Sequence, residues 1–244
     1  MNRFEGRRAL VTGAASGIGL ATAVRLHDEG AEVIAADVSP VTLSGERITA
    51  VQLDVTDEAA VNELVGALQP LDVLVNAAGI LRAAHTHECS LDVWNQVITI
   101  NLTGTFLVCR AALPALCASG RGVVVNFSST SARFAHPYMA AYAASKGGID
   151  AFTHTLAVEY AKAGLRAFNV QPGGIESGIT RDTPGMLPTD ADWSLFGKMM
   201  PLLQPKESGF AGAEVIAGVI AGLASDDGAW VTGTDIRIDG GAHG

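Results

Sequence analysis

The sequence predicts one α/β domain, a doubly wound parallel sheet of seven strands with helices on both faces. Three observations predict it. Short runs of almost unbroken apolar residues recur along the chain, as strands buried on both faces do. Segments of helical period separate them, and that alternation builds the crossovers of a parallel sheet. The first run ends in a glycine-rich turn that opens into the first helix. The 244 residues are enough for one large domain with a sizeable core. There is no internal repeat or low-complexity tract, so 1–244 reads as a single unit.

The elements follow in order. Arg8–Thr12 (RALVT) is the first strand. The turn from Gly13 through Ser16, Gly17 and Ile18 to Gly19 leads into LATAVRLHDEG. The helical apolar spacing of that segment falls at Leu20, Val24 and His27, and Gly30 is its stop. Glu32–Ala36 is the second strand, closed by Asp37. Ser39–Glu46 is broken by Pro40 and Gly45, so the second crossover is abbreviated. Ile48–Leu53 is the third strand, ending at Asp54 and Val55. Asp57 caps a helix running to Leu68. Asp72–Val75 is the fourth strand, and the small residues of Asn76-Ala77-Ala78-Gly79 after it admit a second backbone or a planar ring. Ser90 to about Ile100 reads as a helix, followed by Asn101–Thr105 and a second helical run, Phe106–Leu116. Arg121–Phe127 is the fifth strand, ending at Ser128 and Ser129. A long helix carrying Tyr142 and Lys146 runs to about Ala163. Arg166–Val170 is the sixth strand, ended by Pro172-Gly173-Gly174-Ile175. The segment 176–208 holds four prolines and reads as irregular. Its Met186, Leu187, Trp193, Leu195, Phe196, Met199 and Met200 make it a lid rather than a linker. A helix (Ala211–Ala224) and a strand (Thr234–Ile238) complete the pattern.

Composition excludes several function classes. Hydrophobic residues make up 48% and charged residues 17%, an ordered globular balance. A net charge of −9 argues against nucleic acid and anionic membranes as partners. Three cysteines, Cys89, Cys109 and Cys117, give no disulfide framework and fit a reducing compartment. The N-terminal stretch lacks the apolar core of a signal peptide, and Val215–Ala224 is too short to span a bilayer. The expectation is a cytoplasmic protein. His85, His87, Glu88 and Cys89 resemble a metal cluster, but no second ligand pair has usual spacing, so no metal is expected.

The chemistry concentrates in two places. Strand, glycine turn, helix, strand, acid is the βαβ dinucleotide signature, here spaced GxxxGxG. The glycines admit a pyrophosphate against the backbone, and the helix N-terminus offers free N–H groups and the positive end of a dipole. Asp37, 18 residues beyond Gly19, is placed to accept the adenosine ribose hydroxyls and repel a 2′-phosphate. Neither Ile18 nor Val38 is basic, so NAD is preferred over NADP. The second place is Tyr142 and Lys146, one turn apart on a helix face. A phenol titrates near 10. An ammonium roughly 5 Å away, at an effective dielectric near 20, is worth about 3 kcal/mol and brings the phenol towards general acid/base range.

Taken in order, these motifs resemble the short-chain dehydrogenase/reductase family over essentially the whole chain. The resemblance rests on Thr12–Gly19, Asp54-Val55, Asn76–Gly79, Asn101, Ser129, Tyr142–Lys146 and Pro172-Gly173. The ending also fits, with Ser225-Asp226-Asp227, Val231-Thr232-Gly233 and Asp239-Gly240-Gly241. It implies a Rossmann-type fold and the following roles. Tyr142 is the general acid/base, and Lys146 lowers its pKa and holds the nicotinamide ribose. Ser129, favoured over Ser128 by spacing, polarises the substrate oxygen. Asn101 helps hold a water that links Lys146 to solvent. Gly13, Ser16, Gly17, Ile18 and Gly19 cradle the pyrophosphate. Asp54 and Val55 flank the adenine, and Asn76, Ala77 and Gly79 line the adenosine side. Pro172, Gly173 and Ile175 approach the nicotinamide, whose amide takes a hydroxyl bond from Ser177 or Thr180. His136, Tyr138, Gly174, Met186 and Trp193 surround the substrate. The resemblance implies reversible NAD-dependent hydride transfer between an apolar secondary alcohol and its ketone. It also implies a homotetramer built through Phe106–Leu116, Tyr142–Ala163 and the last strand. Two other readings stand beside it. One is a 3-oxoacyl-carrier-protein reductase, whose acidic partner would want a basic rim that the dispersed arginines do not supply. The other is a non-catalytic NAD-binding regulator.

Overall fold

The computed structural model describes residues 2–203 and 210–243, so positions 204–208 of the expected lid lie outside the described residues. Seven strands form one sheet: β1 (Arg8–Thr12), β2 (Glu32–Asp37), β3 (Ile48–Gln52), β4 (Val73–Asn76), β5 (Val123–Phe127), β6 (Arg166–Pro172) and β7 (Asp235–Ile238). Their order is β3-β2-β1-β4-β5-β6-β7, and every pairing is parallel. The chain builds outward from β1 to one edge and then returns to build the other side. That reversal opens a crevice at the carboxyl ends of β1 and β4.

Side-chain alternation explains the unbroken apolarity of the strands. Ala9, Val11, Val33, Ala35, Val73, Val75, Val123, Val125, Phe168 and Val170 face one core. Leu10, Ile34, Ala36, Leu74, Val124 and Ala167 face the other. The first core is closed by α1 (Gly17–Asp28) and α7 (Ala213–Ala224), which pack on each other. The second is closed by α2 (Glu58–Gly66), α4 (Gly104–Ala118) and α5 (Ala140–Glu159). Asp57 caps α2 by accepting from Ala59 and Ala60 N–H, as its position suggests.

Four expectations need correction. The buried face of α1 is Gly19, Thr22, Ala23 and Leu26, while Val24 is exposed. Small residues let this helix lie close to the sheet and α7, so the larger apolar side chains misplace its stripe. The break expected at Asn101–Thr105 is no break. α3 (Leu91–Ile98) continues through a π turn, Thr99–Thr103, into α4, with Gly104 N–H bonded to the Thr99 carbonyl. One wide turn absorbs the irregular sequence without ending the helix. The joined helix, Leu91–Ala118, is long and apolar enough to cross a membrane by length and composition, yet 56% of its apolar window is buried, as a core helix requires. The lid is not irregular throughout. It contains α6 (Gly178–Met186) and a 3₁₀ stretch, Trp193–Met199. A reciprocal cap starts α6: Ser177 Oγ accepts from Thr180 N–H and Thr180 Oγ1 accepts from Ser177 N–H. Finally, α5 begins after Tyr138, whose backbone is left-handed at φ 66°, so Tyr138 and Tyr142 do not share a helix face.

Candidate active site

A parallel sheet delivers the carboxyl ends of all its strands to one edge, and the site lies there. A cavity of about 650 Å³ opens at this edge. Among the residues expected from sequence, Gly13, Ser16, Gly17, Ile18, Gly19, Asp37, Asp54, Val55, Ala77 and Gly79 line its one half. Ser129, His136, Tyr142, Lys146, Pro172, Gly173, Gly174, Ile175, Ser177 and Trp193 line the other.

Two of the turn's three glycines are needed by the protein itself. A Cβ on Gly13 would stand 2.6 Å from the Ala77 backbone, and one on Gly19 would fall onto the Gly13 carbonyl oxygen. Gly17 has φ +54° and only Ser177 Cβ within reach, at 3.5 Å, so it is the glycine with open space beside it. The Ser16 side chain makes no cap on α1, and the first turn of that helix holds no acidic residue. Its leading N–H groups are therefore available to an anion. Asp37 clamps the same turn. Its Oδ2 accepts from Ala15 N–H at 3.0 Å and its Oδ1 from Ser39 N–H at 2.8 Å.

The polar centre joins α5 to the ends of β5 and β4. Lys146 is buried, and its Nζ donates to the Phe127 carbonyl at 2.6 Å and lies 5.6 Å from the Tyr142 ring centroid. Burial lowers its pKa to about 8, against an opposing pull from Asp150. Burial raises the Tyr142 phenol, and a hydrogen bond with Ser129 works the other way. Withdrawal from water outweighs the Ser129 bond, so the phenol stays above its ordinary value. Ser129 Oγ also accepts from Ser131 N–H at 3.1 Å, whereas Ser128 Oγ turns to the Lys146 carbonyl at 3.3 Å.

Four expected residues do not line the cavity. Asn101 is fully buried behind it. Its side chain accepts from Ile80 N–H (2.8 Å) and donates to the Ile80 carbonyl (2.9 Å) and Ser145 Oγ (3.1 Å). The Asn101 side chain is thus spent on positioning the segment after β4. Asn76 lies behind the cavity too, donating to Asn126 Oδ1 at 2.9 Å and tying β4 to β5. Tyr138 leaves the pocket for the lid: its hydroxyl accepts from Asp192 N–H at 2.9 Å, and its ring meets His85 edge-on at 5.1 Å. His85 also reaches the lid, its Nε2 lying 2.9 Å from Asp190 Oδ1. Met186, the last residue of α6, is not among the lining residues, whereas Gly178, Ile179, Thr180, Thr183 and Pro184 of the same helix are. Sequence reading missed Leu81 and His243, both of which line the cavity. For His243 a signal existed: a seventh parallel strand must end at the functional edge, so the tail after it emerges there.

The family model for short chain dehydrogenases matches residues 7–186. The chain belongs to the short-chain dehydrogenase/reductase family. Relatives cover nearly all of it. A 3-oxoacyl-[acyl-carrier-protein] reductase of Thermotoga maritima is 37% identical over 252 residues, 98% of this chain and 98% of that one. A 2,5-dichloro-2,5-cyclohexadiene-1,4-diol dehydrogenase of Sphingobium indicum is 33% identical over 254 residues, 98% of this chain and 97% of that one. Among solved structures, a levodione reductase is 32% identical with a TM-score of 0.86, covering 98% of each chain. As a member of this family the protein is an oxidoreductase acting on alcohol and ketone groups with a nicotinamide cofactor.

Proposed function

We propose that this short-chain dehydrogenase/reductase transfers a hydride reversibly between NAD(H) and a secondary alcohol or ketone of largely apolar character. The observation that carries the reading is the convergence of Tyr142, Lys146 and Ser129 on a cavity whose other half is the glycine turn and Asp37. The cofactor fits the residues present. Gly17 leaves space beside the uncapped N-terminus of α1, where a pyrophosphate is held by N–H groups. Asp37 sits where adenosine ribose hydroxyls are read, and Lys146 is the one Lys or Arg lining the cavity among the described residues. A 2′-phosphate would meet a carboxylate and no cation, which supports NAD over NADP. Asp54 and Val55 would flank the adenine. Thr180 already gives its hydroxyl hydrogen to the Ile175 carbonyl at 2.6 Å, so Ser177 is the better donor to the nicotinamide amide.

When bound, the nicotinamide supplies the hydride chemistry. The chain supplies position and proton handling. Ser129 fixes the substrate oxygen. In oxidation the Tyr142 phenolate takes the hydroxyl proton and becomes the phenol, and in reduction the phenol gives that proton back. Lys146 shares the buried pocket and keeps a charge beside the phenol below its pKa of about 8. Asn101 acts through position, holding Ile80 beside Gly79 and, through Ser145, the Tyr142 carbonyl. Leu81, Met139, Leu187, Trp193 and Phe196 offer the substrate an apolar wall.

A second reading, an acyl-carrier-protein reductase, draws support from the Thermotoga relative. The charge of −9 weighs against an acidic protein partner. We also propose a cytoplasmic homotetramer. Its support is three free cysteines and apolar surface on the outer helices, with Phe106 40% and Val158 81% exposed. The test is a panel of secondary alcohols followed by NADH absorbance, with NAD and NADP in parallel. Turnover at least tenfold better with NAD is expected. Dinucleotide binding without turnover across the panel would favour the regulator instead.

A further inference from the structure

The tail after β7 carries a polar group into the substrate half of the cavity. Asp239 is buried, and its Oδ1 accepts from Gly241 N–H at 3.0 Å. Its Oδ2 accepts from His243 N–H at 3.2 Å and lies 3.1 Å from His243 Nδ1. The His243 ring stacks on Phe134 at 4.2 Å and 20°, and lies nearly parallel to His136 at 5.9 Å. Arg237 sits over the Phe134 ring and donates to the His243 carbonyl at 2.9 Å. The lid is fastened to the same tail, since Leu202 and Leu203 N–H both donate to the Gly240 carbonyl at 2.9 Å. A frayed terminus makes no such set of contacts.

The chemistry of the ring follows from its partners. Burial opposes ionisation of Asp239, but the hydrogen bonds from His243 and Gly241 prevail and its carboxyl sits below its ordinary value. An ionised Asp239 requires the proton on His243 Nδ1, so in the neutral ring Nε2 is an acceptor. Nε2 has no partner among the described residues, and the ring lines the cavity. His136 is not a cationic companion. Burial pushes it down to about 4, with repulsion between the two rings adding to this only when both carry a proton, and its Nε2 lies 3.3 Å from Thr130 Oγ1. An acceptor backed by a carboxylate suits a hydroxyl hydrogen and repels an anion.

We infer that His243, oriented by Asp239, is a second polar subsite that accepts a hydrogen bond from a substrate hydroxyl other than the one at Tyr142. The preferred substrate is then a diol or hydroxy-ketone rather than a simple alcohol. This rests on the hydride-transfer reading above and adds to it. The probes are cyclohexanol and the cyclohexanediols, oxidised with NAD by the full chain. The wild-type protein should favour a diol in kcat/KM by about tenfold, the usual worth of one neutral hydrogen bond. His243→Phe keeps the stack on Phe134 and should lower the diol-to-alcohol ratio about tenfold. His243→Gln, with a carbonyl acceptor, should restore part of the ratio and stands in if the phenylalanine variant does not fold. Asp239→Asn removes the charge that holds the proton on Nδ1, so it should lower the ratio as well. An unchanged ratio in the folded histidine variants, with both substrates turned over, overturns the subsite and leaves the hydride-transfer reading intact. No NADH from any probe, with dinucleotide bound, overturns that reading and the subsite with it.

Discussion

His136 should make the protein lose stability in acid, and replacing it should remove that loss. An ordinary histidine titrates near 6.5, whereas this one is held down to about 4, chiefly by burial. Between those values the unfolded chain binds a proton that the folded chain refuses. The unfolded state therefore binds more protons, and stability rises with pH through that window and falls on acidification. At about 1.4 kcal/mol per pH unit the ceiling is about 3 kcal/mol, and partial exposure of the ring brings it to about 2 kcal/mol. His136→Gln keeps a polar group that reaches Thr130 Oγ1 but carries no titrating ring. Urea unfolding of both proteins at pH 7.5 and pH 4.5 isolates the effect as a difference of differences. Wild type should lose about 2 kcal/mol more than the variant. Histidine ring proton shifts should place the wild-type titration well below 6. Parallel losses in the two proteins, or a titration near 6.5, would refute the reasoning.

Gly19→Ala sets a Cβ onto the Gly13 carbonyl, a backbone group that can give way only if the turn itself moves. A cost of about 2–4 kcal/mol is expected, read as a fall of roughly 5–15 °C in melting temperature together with loss of dinucleotide binding. A variant that melts and binds as wild type would contradict the backbone packing described for the turn. Asp37→Ser removes the carboxylate that a 2′-phosphate would meet, so kcat/KM with NADP relative to NAD should rise at least tenfold. An unchanged ratio would place cofactor choice elsewhere. Asn101→Ala leaves the Ile80 N–H and carbonyl without their side-chain partner and takes one of two bonds from the buried Ser145 hydroxyl. That should cost about 2–4 kcal/mol in urea unfolding, and a loss under about 0.5 kcal/mol would show that the clamp is not needed.

The sheet was legible because a parallel sheet writes its burial as unbroken apolar runs, and each such run became a strand. The glycine turn, Asp37 and the tyrosine–lysine pair were legible because their spacing follows backbone geometry. What depended on packing was not. The face of α1 was misread because close approach is made by Gly19, Thr22 and Ala23, which hydrophobicity underrates. The π turn left no local mark, since Asn101–Thr105 looks like any helix interruption. Tyr138 was misassigned because its left-handed backbone, not its distance from Tyr142, decides where the ring goes. His243 was not singled out as a site residue, although strand order alone brings the segment after β7 to the cavity. The pull of Lys146 on the phenol was argued from charge alone, whereas burial raises the phenol.

The central claim is that Tyr142 moves the proton. Its most direct test is Tyr142→Phe, which removes one hydroxyl from a ring in the cavity wall and leaves the Lys146 bond to Phe127 in place. NADH formation from an oxidised alcohol should fall by two orders of magnitude or more, while dinucleotide binding and melting temperature stay close to wild type. Turnover that survives within a few-fold would contradict the assignment.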